Sequence, residues 1–340
     1  MIKIIKNNDT DMVYLLKNEG RKYFYRFSSP KLKYKKCTHM NTFNFKYIFF
    51  LIILFIFIQI YNNKIKKINN VKVCLCAIGK NENKYVREYV EHYKKYGVDK
   101  IIIYDNNDLN GEYFENILLD YIKKKYVKII NYRGKKTMQV SMMRDCYKNN
   151  YNIYDWFIMY DMDEFIFLKN FNNIKYYLNN KKFDKCKLIQ LNRAVHTDND
   201  QIYYKNKTLF ERFPKAFYNI VNVKSILKGH NPDIEIKSIH KINDKIKGCN
   251  GFGQKTFQNK TDFKYYYINH YYFKSTEEFI NKINRGDAYY LTNKHLKYKK
   301  IKFYFAFNRM TLEKINFIEN RTGIILTKFR NSIIKKNKFK

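Results

Sequence analysis

The sequence has little negative charge, no C-x-x-C pair and almost no proline or tryptophan. Its 30 Asp and Glu face 67 Lys and Arg, a formal net charge of +37, and there are three prolines and one tryptophan in 340 residues. The excess of positive charge invites nucleic acid or an anionic membrane surface as a partner. No recognition helix, zinc-finger spacing or aromatic-basic RNA signature accompanies it, and the lysines are scattered, so the reading is a cationic surface without specific nucleic-acid binding. The shortage of proline and tryptophan, with the bias to Lys, Asn, Ile and Tyr, is what an AT-rich genome produces, so much of the lysine carries no functional information. Six cysteines without C-x-x-C spacing read as buried thiols. A disulfide among the five that follow residue 63 requires an oxidising compartment, and the sequence assigns no pairing.

Charge is also missing between Lys46 and Lys64, where residues 47–61 read YIFFLIILFIFIQIY. This run is expected to be a transmembrane helix, although it is a little short of the roughly 20 residues that span a bilayer. A signal peptide is disfavoured by the 46-residue basic stretch before it and by the lack of a small-residue cleavage site after it. Residues 1–46 hold 11 Lys and Arg against 3 Asp and Glu, which places that side in the cytoplasm and makes the expected topology single-pass type II. In a eukaryotic cell the compartment would be the endoplasmic reticulum or Golgi. The expected organisation is a basic cytosolic tail (1–46), the membrane helix (47–63), a linker (64–70), a catalytic domain (71–289) and a basic helical extension (290–340). The extension packs on the domain or meets lipid headgroups.

What is present after the linker is alternation. Apolar β runs at 71–78, 100–104, 127–131 and 156–160 are separated by helical patterns at 82–96, 113–124 and 138–148. Strands joined by crossover helices imply a parallel sheet with helices on both faces, and in such sheets ligands bind beyond the carboxyl ends of the strands. Those ends carry Lys80-Asn81-Glu82, Asp105-Asn106-Asn107 and Asp161-Met162-Asp163-Glu164. Each alone reads equally as turn and cap chemistry. The D-x-D spacing is weak evidence, since it occurs at Asp9/Asp11, Asp161/Asp163 and Asp198/Asp200. Only the second follows an apolar strand. Converging carboxylates there suit Mn²⁺ or Mg²⁺ shared with substrate phosphates, and a structural ion-pair cluster is the competing reading.

Five segments in order resemble the family-92-type glycosyltransferases and their bacterial family-2-like relatives: 76–108, Gln139 to Cys146, 155–168 (DWFIMYDMDEFIFL), 198–213 and 268–287. The resemblance implies a GT-A-like α/β fold, a Rossmann-like, mainly parallel mixed sheet. It also implies transfer of a sugar from a nucleotide-sugar donor, UDP-linked, to a glycan or glycoconjugate by an inverting course. Asp161 and Asp163 match the family's D-x-D, with Asp163 the direct metal ligand and Asp161 on ribose or metal-bound water. Glu164 ligates through water or braces the loop. His270 matches the late histidine that acts as a further metal ligand, with a core histidine as the alternative. Glu82 and Asp105 match positions that contact the nucleoside, and Arg144 is placed to reach the diphosphate or faces solvent. Lys274 and Arg285-Gly286-Asp287 meet phosphate or pair the helix 276–284. Asp198, Asp200 and Glu211 are candidates for the catalytic base, with Asp200 and Glu211 preferred and a structural Glu211–Arg212 pair as the alternative. Gly79 and the segment 192–196 depart from the family pattern, and the second lies on the expected acceptor side. Two other classes compete: an inactive glycan-binding or scaffold protein of the same fold, and a basic nucleic-acid-binding membrane protein.

Overall fold

In the computed structural model every residue of the chain is described except 1, 8–10, 19–20, 28–42, 219–222, 239–241, 243–245, 247, 256–262, 264, 287–292 and 339–340, and for the remaining residues of 1–46 and for 64–69 and 336–338 the backbone alone is described. Asp9 of the first D-x-D, Cys37, Asp287 and the expected boundary at 289/290 therefore lie outside the described residues. The chain divides into two compact units, Met1–Asn62 and Asn63–Lys340. In the first, β1 (Ile2–Asn7), β2 (Asp11–Asn18) and β3 (Arg21–Phe27) pair in antiparallel order, so the basic stretch expected as a tail holds a small meander. Helix α1 (Phe43–Asn69) follows, and its large apolar side chains stand exposed from Tyr47 to Tyr61. Among the described residues no helix is long and apolar enough to cross a membrane.

The second unit opens with the expected alternation: β4 (Val73–Gly79), α2 (Asn83–Lys95), β5 (Lys100–Asp105), α3 (Glu115–Lys123), β6 (Val127–Asn131), α4 (Gln139–Asn150) and β7 (Trp156–Met159). These four strands are parallel, in the order β6-β5-β4-β7. All of β4 is buried because both its faces are covered. Val73, Leu75 and Ala77 pack with α2 and α3, while Cys74, Cys76 and Ile78 pack with α4, the two-residue period of a strand sorting the side chains. Helix α2 buries Tyr85, Val86, Tyr89, Val90 and Tyr93, one face of a 3.6-residue repeat. Gly97 stops it at φ +81, where a Cβ would also strike the Asn173 side chain.

The remainder turns the sheet mixed. It comprises β8 (Glu164–Leu168), α5 (Ile174–Leu178), β9 (Leu188–His196), α6 (Leu209–Arg212), β10 (Ala216–Phe217), β11 (Val223–Lys228), β12 (Gly248–Asn250), β13 (Tyr266–His270), α7 (Thr276–Arg285), α8 (Lys294–Phe307), α9 (Leu312–Thr322) and α10 (Thr327–Lys338). The order continues β7-β11-β9-β13-β8, with β10 and β12 also on β9. Strand β11 is antiparallel to β7 and β9, and β8 is antiparallel to β13. Helices α7 to α9 enclose a third core of Phe279, Ile283, Ile301, Tyr304, Ile315 and Ile318. Lys314 of α9 pairs with Asp198 at 2.7 Å and Asp200 at 3.1 Å, and the Tyr304 hydroxyl donates to Asp198. The helical extension is thus packed into the domain.

Buried thiols, the expectation from spacing, hold for Cys74, the free cysteine among the described residues. Cys76 of β4 is joined to Cys146 of α4 across Cα atoms 6.4 Å apart, and Cys186 to Cys249 across 5.8 Å. The fold supplied the proximity that spacing alone did not reveal.

One buried histidine gives the fold a pH dependence. Burial of His92 pushes its pKa down from 6.5 to about 4, against the opposing hydrogen bond to the Ile166 carbonyl at 3.0 Å. A lowered histidine stays neutral in the folded chain while the unfolded chain takes up a proton, so stability is full above 6.5 and is lost as pH falls toward about 4. Denaturant midpoints should drop between pH 7 and pH 5, and His92→Gln should flatten that drop.

Candidate active site

Because β5, β4 and β7 are parallel neighbours, their carboxyl ends bring Asp105, Glu82 and Asp161 to one edge of the sheet. The acidic turn after β7 leads into β8, and β13 pairs with β8 so that His270 stands opposite Glu164. That pairing is how residues more than 100 positions apart meet. His270 Nε2 lies 3.5 Å from Asp163 Oδ1 and 4.0 Å from Glu164 Oε1, and the Tyr271 N–H donates to the Asp163 carbonyl at 2.8 Å. Asp163, Glu164 and His270 are all buried.

Each carboxylate of the turn has a cation. Lys224 Nζ, from the second position of β11, is 2.7 Å from Asp161 Oδ2 and 3.3 Å from Glu164 Oε2. Arg193 of β9 reaches Glu164 Oε1 at 3.3 Å and His270 Nδ1 at 3.5 Å. Lys282 of α7 is 2.6 Å from Asp163 Oδ2. Burial pushes Asp163 upward, but Lys282 and His270 outweigh it and hold the carboxyl well below its ordinary value. Burial likewise opposes ionisation of Asp161, and Lys224 wins there, leaving the carboxyl lowered. Lys224 and Lys282 are themselves depressed by burial and raised on balance by these carboxylates.

A divalent cation fits part of this set. Two ligands about 2.1 Å from one ion lie between roughly 3.0 and 4.2 Å apart as the angle between them opens from a right angle to a straight line. Asp163 Oδ1 and His270 Nε2, at 3.5 Å, fall inside that range. Asp161 does not offer a comparable oxygen, since Gln139 Nε2 donates to Oδ1 at 2.5 Å and Lys224 holds Oδ2. The remaining ligands would be substrate phosphates and water, the usual arrangement for Mg²⁺ and Mn²⁺ at nucleotides.

The other expected site residues are distributed unevenly. Glu82 is buried between Lys274 at 2.6 Å and Arg285 at 2.8 Å. Burial raises its pKa, and the two cations more than reverse that. Asn81 and Lys274, its neighbours in sequence and in space, hold φ of 54° and 54°, a left-handed conformation uncommon outside glycine. Asp105 is fully engaged: Arg133 binds Oδ2 at 2.6 Å, and the backbone and side-chain N–H groups of Asn107 donate to Oδ1. It braces the loop after β5 from below. Arg144 is exposed on α4 and donates to the Ile236 carbonyl at 2.7 Å, so it is tied to a different segment from the acidic turn. Glu211 is exposed and closes the capping box of α6 with Thr208, and Arg212 pairs with Glu278 at 2.7 Å instead of with Glu211. Asp200 is bound to Lys314 on one oxygen and keeps 55% side-chain exposure. It follows Asn199 in a second left-handed pair, φ 49° and 59°.

Lys224, Lys282 and Arg133 were not singled out in the sequence. Lys224 had a local signal, a lysine at an interior position of the apolar run Val223–Lys228. Lys282 and Arg133 had none amid so much surface lysine and arginine. Gly79, the departure from the family pattern, is explained by packing: a Cβ there would sit 2.4 Å from Met162 Sδ and 2.8 Å from Phe114 Cζ. Gly79→Val should therefore displace Met162 from between the two aspartates, lowering stability by about 1–3 kcal/mol. Thermal melts and turnover measured on the same preparation should fall together.

Residues 69–313 match the model of glycosyltransferase family 92, and the chain belongs to that family. No curated protein matches it. Among solved structures, Staphylococcus aureus TarS aligns over 76% of this chain and 51% of its own, at 12% identity and TM-score 0.36. TarS 1–349 in complex with UDP-GlcNAc aligns over 74% and 80%, at 15% identity and TM-score 0.35. The chain spans about half the length of full TarS.

Proposed function

We propose that this glycosyltransferase moves a sugar from a nucleotide-sugar donor, UDP-linked, to a glycan or glycoconjugate, with Mn²⁺ or Mg²⁺ bound by Asp163 and His270. The observation that carries the reading is the 3.5 Å approach of Asp163 Oδ1 to His270 Nε2 at the carboxyl edge of the sheet. A bound divalent cation would supply charge neutralisation to the departing nucleoside diphosphate. Asp163 and His270 would fix it, and Asp161, braced by Lys224 and Gln139, would receive ribose or metal-bound water. Lys274 and Arg285 hold Glu82 and leave a cationic wall beside the nucleotide position.

For an inverting course, one carboxylate must accept the proton of the attacking hydroxyl. Of the two candidates Asp200 is the one we assign. Glu211 spends a carboxylate oxygen on the Thr208 hydroxyl and N–H, and those bonds lower its pKa and weaken it as a base. Asp200 is exposed and sits in a left-handed pair of the kind that functional sites retain. Asp200→Asn should suppress transfer to an acceptor while leaving UDP binding unchanged.

We also propose that the apolar run of α1 attaches the chain to a membrane surface, with the second unit in an oxidising compartment, the endoplasmic reticulum or Golgi in a eukaryotic cell. The exposed apolar run from Tyr47 to Tyr61 and the two disulfides support this. Screening nucleotide sugars with Mn²⁺ or Mg²⁺ for release of nucleoside diphosphate tests the enzyme. Turnover of no donor sinks it and favours the inactive glycan-binding reading.

A further inference from the structure

The acidic turn is already neutral before any ligand arrives. Asp161, Asp163 and Glu164 are matched by Lys224, Lys282 and Arg193, at 2.6 to 3.3 Å. A divalent cation entering this site alone would find no net negative charge to offset its loss of hydration, and its best carboxylate, Asp163, already holds an ammonium. A cation arriving with a nucleoside diphosphate brings its own counter-charge.

The three cations are not equivalent. The side chains of Lys224 and Arg193 are 2% and 11% exposed and are held from inside the sheet, by β11 and β9. Lys282 is 20% exposed and comes from helix α7, outside the sheet. Its other contacts among the described residues are the Tyr272 carbonyl at 3.3 Å and the Tyr272 ring, 4.2 Å from the ammonium to the ring centre. Both permit the ammonium to swing on its four-carbon stem, which the planar, doubly engaged Arg193 cannot do as readily. Lys274, just before the same helix, and Arg285, its last residue, are committed to Glu82. Lys282 is therefore the cation positioned to leave its carboxylate.

Resting on the metal and nucleotide reading above, we propose that Lys282 is the counter-cation of the free enzyme: it occupies Asp163 until a nucleoside diphosphate draws it onto phosphate, so that divalent metal and nucleotide bind together and the free protein holds the metal weakly. No covalent step is involved. The affinity of each ligand then rises when the other is present, by the same factor.

The test uses the full chain in detergent, with Mn²⁺ binding followed by electron paramagnetic resonance of the free ion, with and without UDP. Wild type should bind Mn²⁺ at least about 10-fold more tightly when UDP is present, a coupling within the usual range. Lys282→Met leaves the turn one charge negative and should bind Mn²⁺ without UDP at least about 10-fold more tightly than wild type, with the coupling reduced. Lys282→Gln provides the same loss of charge should the methionine variant fail to fold, and Lys282→Arg, which keeps the charge, should leave the affinity for Mn²⁺ without UDP at the wild-type level. If Mn²⁺ binds wild type equally with and without UDP, or if removing the charge leaves metal affinity unchanged, Lys282 does not gate the site and the inference is overturned alone. If Mn²⁺ binds under no condition and His270→Ala is indistinguishable from wild type, the metal and nucleotide reading is overturned and takes the inference with it.

Discussion

Asp163→Asn is expected to abolish donor turnover while leaving a folded protein. Asparagine keeps the shape of the side chain and can still hydrogen bond to Lys282, but it removes the charge facing His270 across 3.5 Å. Replacing residues that merely support a metal ligand costs about 10–100-fold, so loss of the ligand itself should exceed about 100-fold in release of nucleoside diphosphate. The structural cost is smaller, about 1–3 kcal/mol, because Lys282 keeps the Tyr272 carbonyl and ring when its carboxylate is gone. A near-native melting curve with turnover at background is the expected pair of results. Unfolding of the variant would instead show that Asp163 is a structural ion-pair partner.

Reduction of the disulfides is expected to produce the largest stability change. Cys76–Cys146 and Cys186–Cys249 close chain separations of 70 and 63 residues. Loop closure of that length restricts the unfolded chain by about 4 kcal/mol per bridge. Against a typical net stability of about 5–15 kcal/mol, losing both leaves little. Urea midpoints should fall steeply in dithiothreitol, and Cys186→Ser and Cys76→Ser should each reproduce part of the fall. Expression in a reducing cytosol should yield mostly misfolded chain. Midpoints unchanged by reductant would mean that the four sulfurs are thiols in the native protein.

The legible part of the molecule was the segment from β4 to β7. The strands of the β4 to β7 region and their crossover helices could be read because apolar periodicity switches between two and 3.6 residues there, and the predicted bounds fall within two residues of the observed ones. The second half was not legible to the same degree. Strands β10 and β12 are two and three residues long, too short to set a period. The approach of His270 to Asp163 depends on the pairing of β13 with β8, a long-range register that resemblance implied and local pattern did not.

Charge was the least legible feature. In a chain with 67 Lys and Arg, nothing marks Lys282 or Arg133 as the partner of a buried carboxylate. Arg144 carried the opposite risk: it lies on the helix before the acidic strand, yet its position on α4 turns it outward to Ile236. Glu211 stood in a segment that resembles the family, and its role in the fold is to cap α6. Sequence spacing locates such residues on an element, whereas the direction of each side chain is set by the packing of that element on the sheet.

The most direct measurement of the central claim is release of UDP from a panel of UDP-sugars by the full chain, with Mn²⁺, with Mg²⁺ and with chelator. The account predicts release with at least one donor, lost in chelator and lost in both Asp163→Asn and His270→Ala. Release that persists in chelator, or that survives both substitutions, would contradict it.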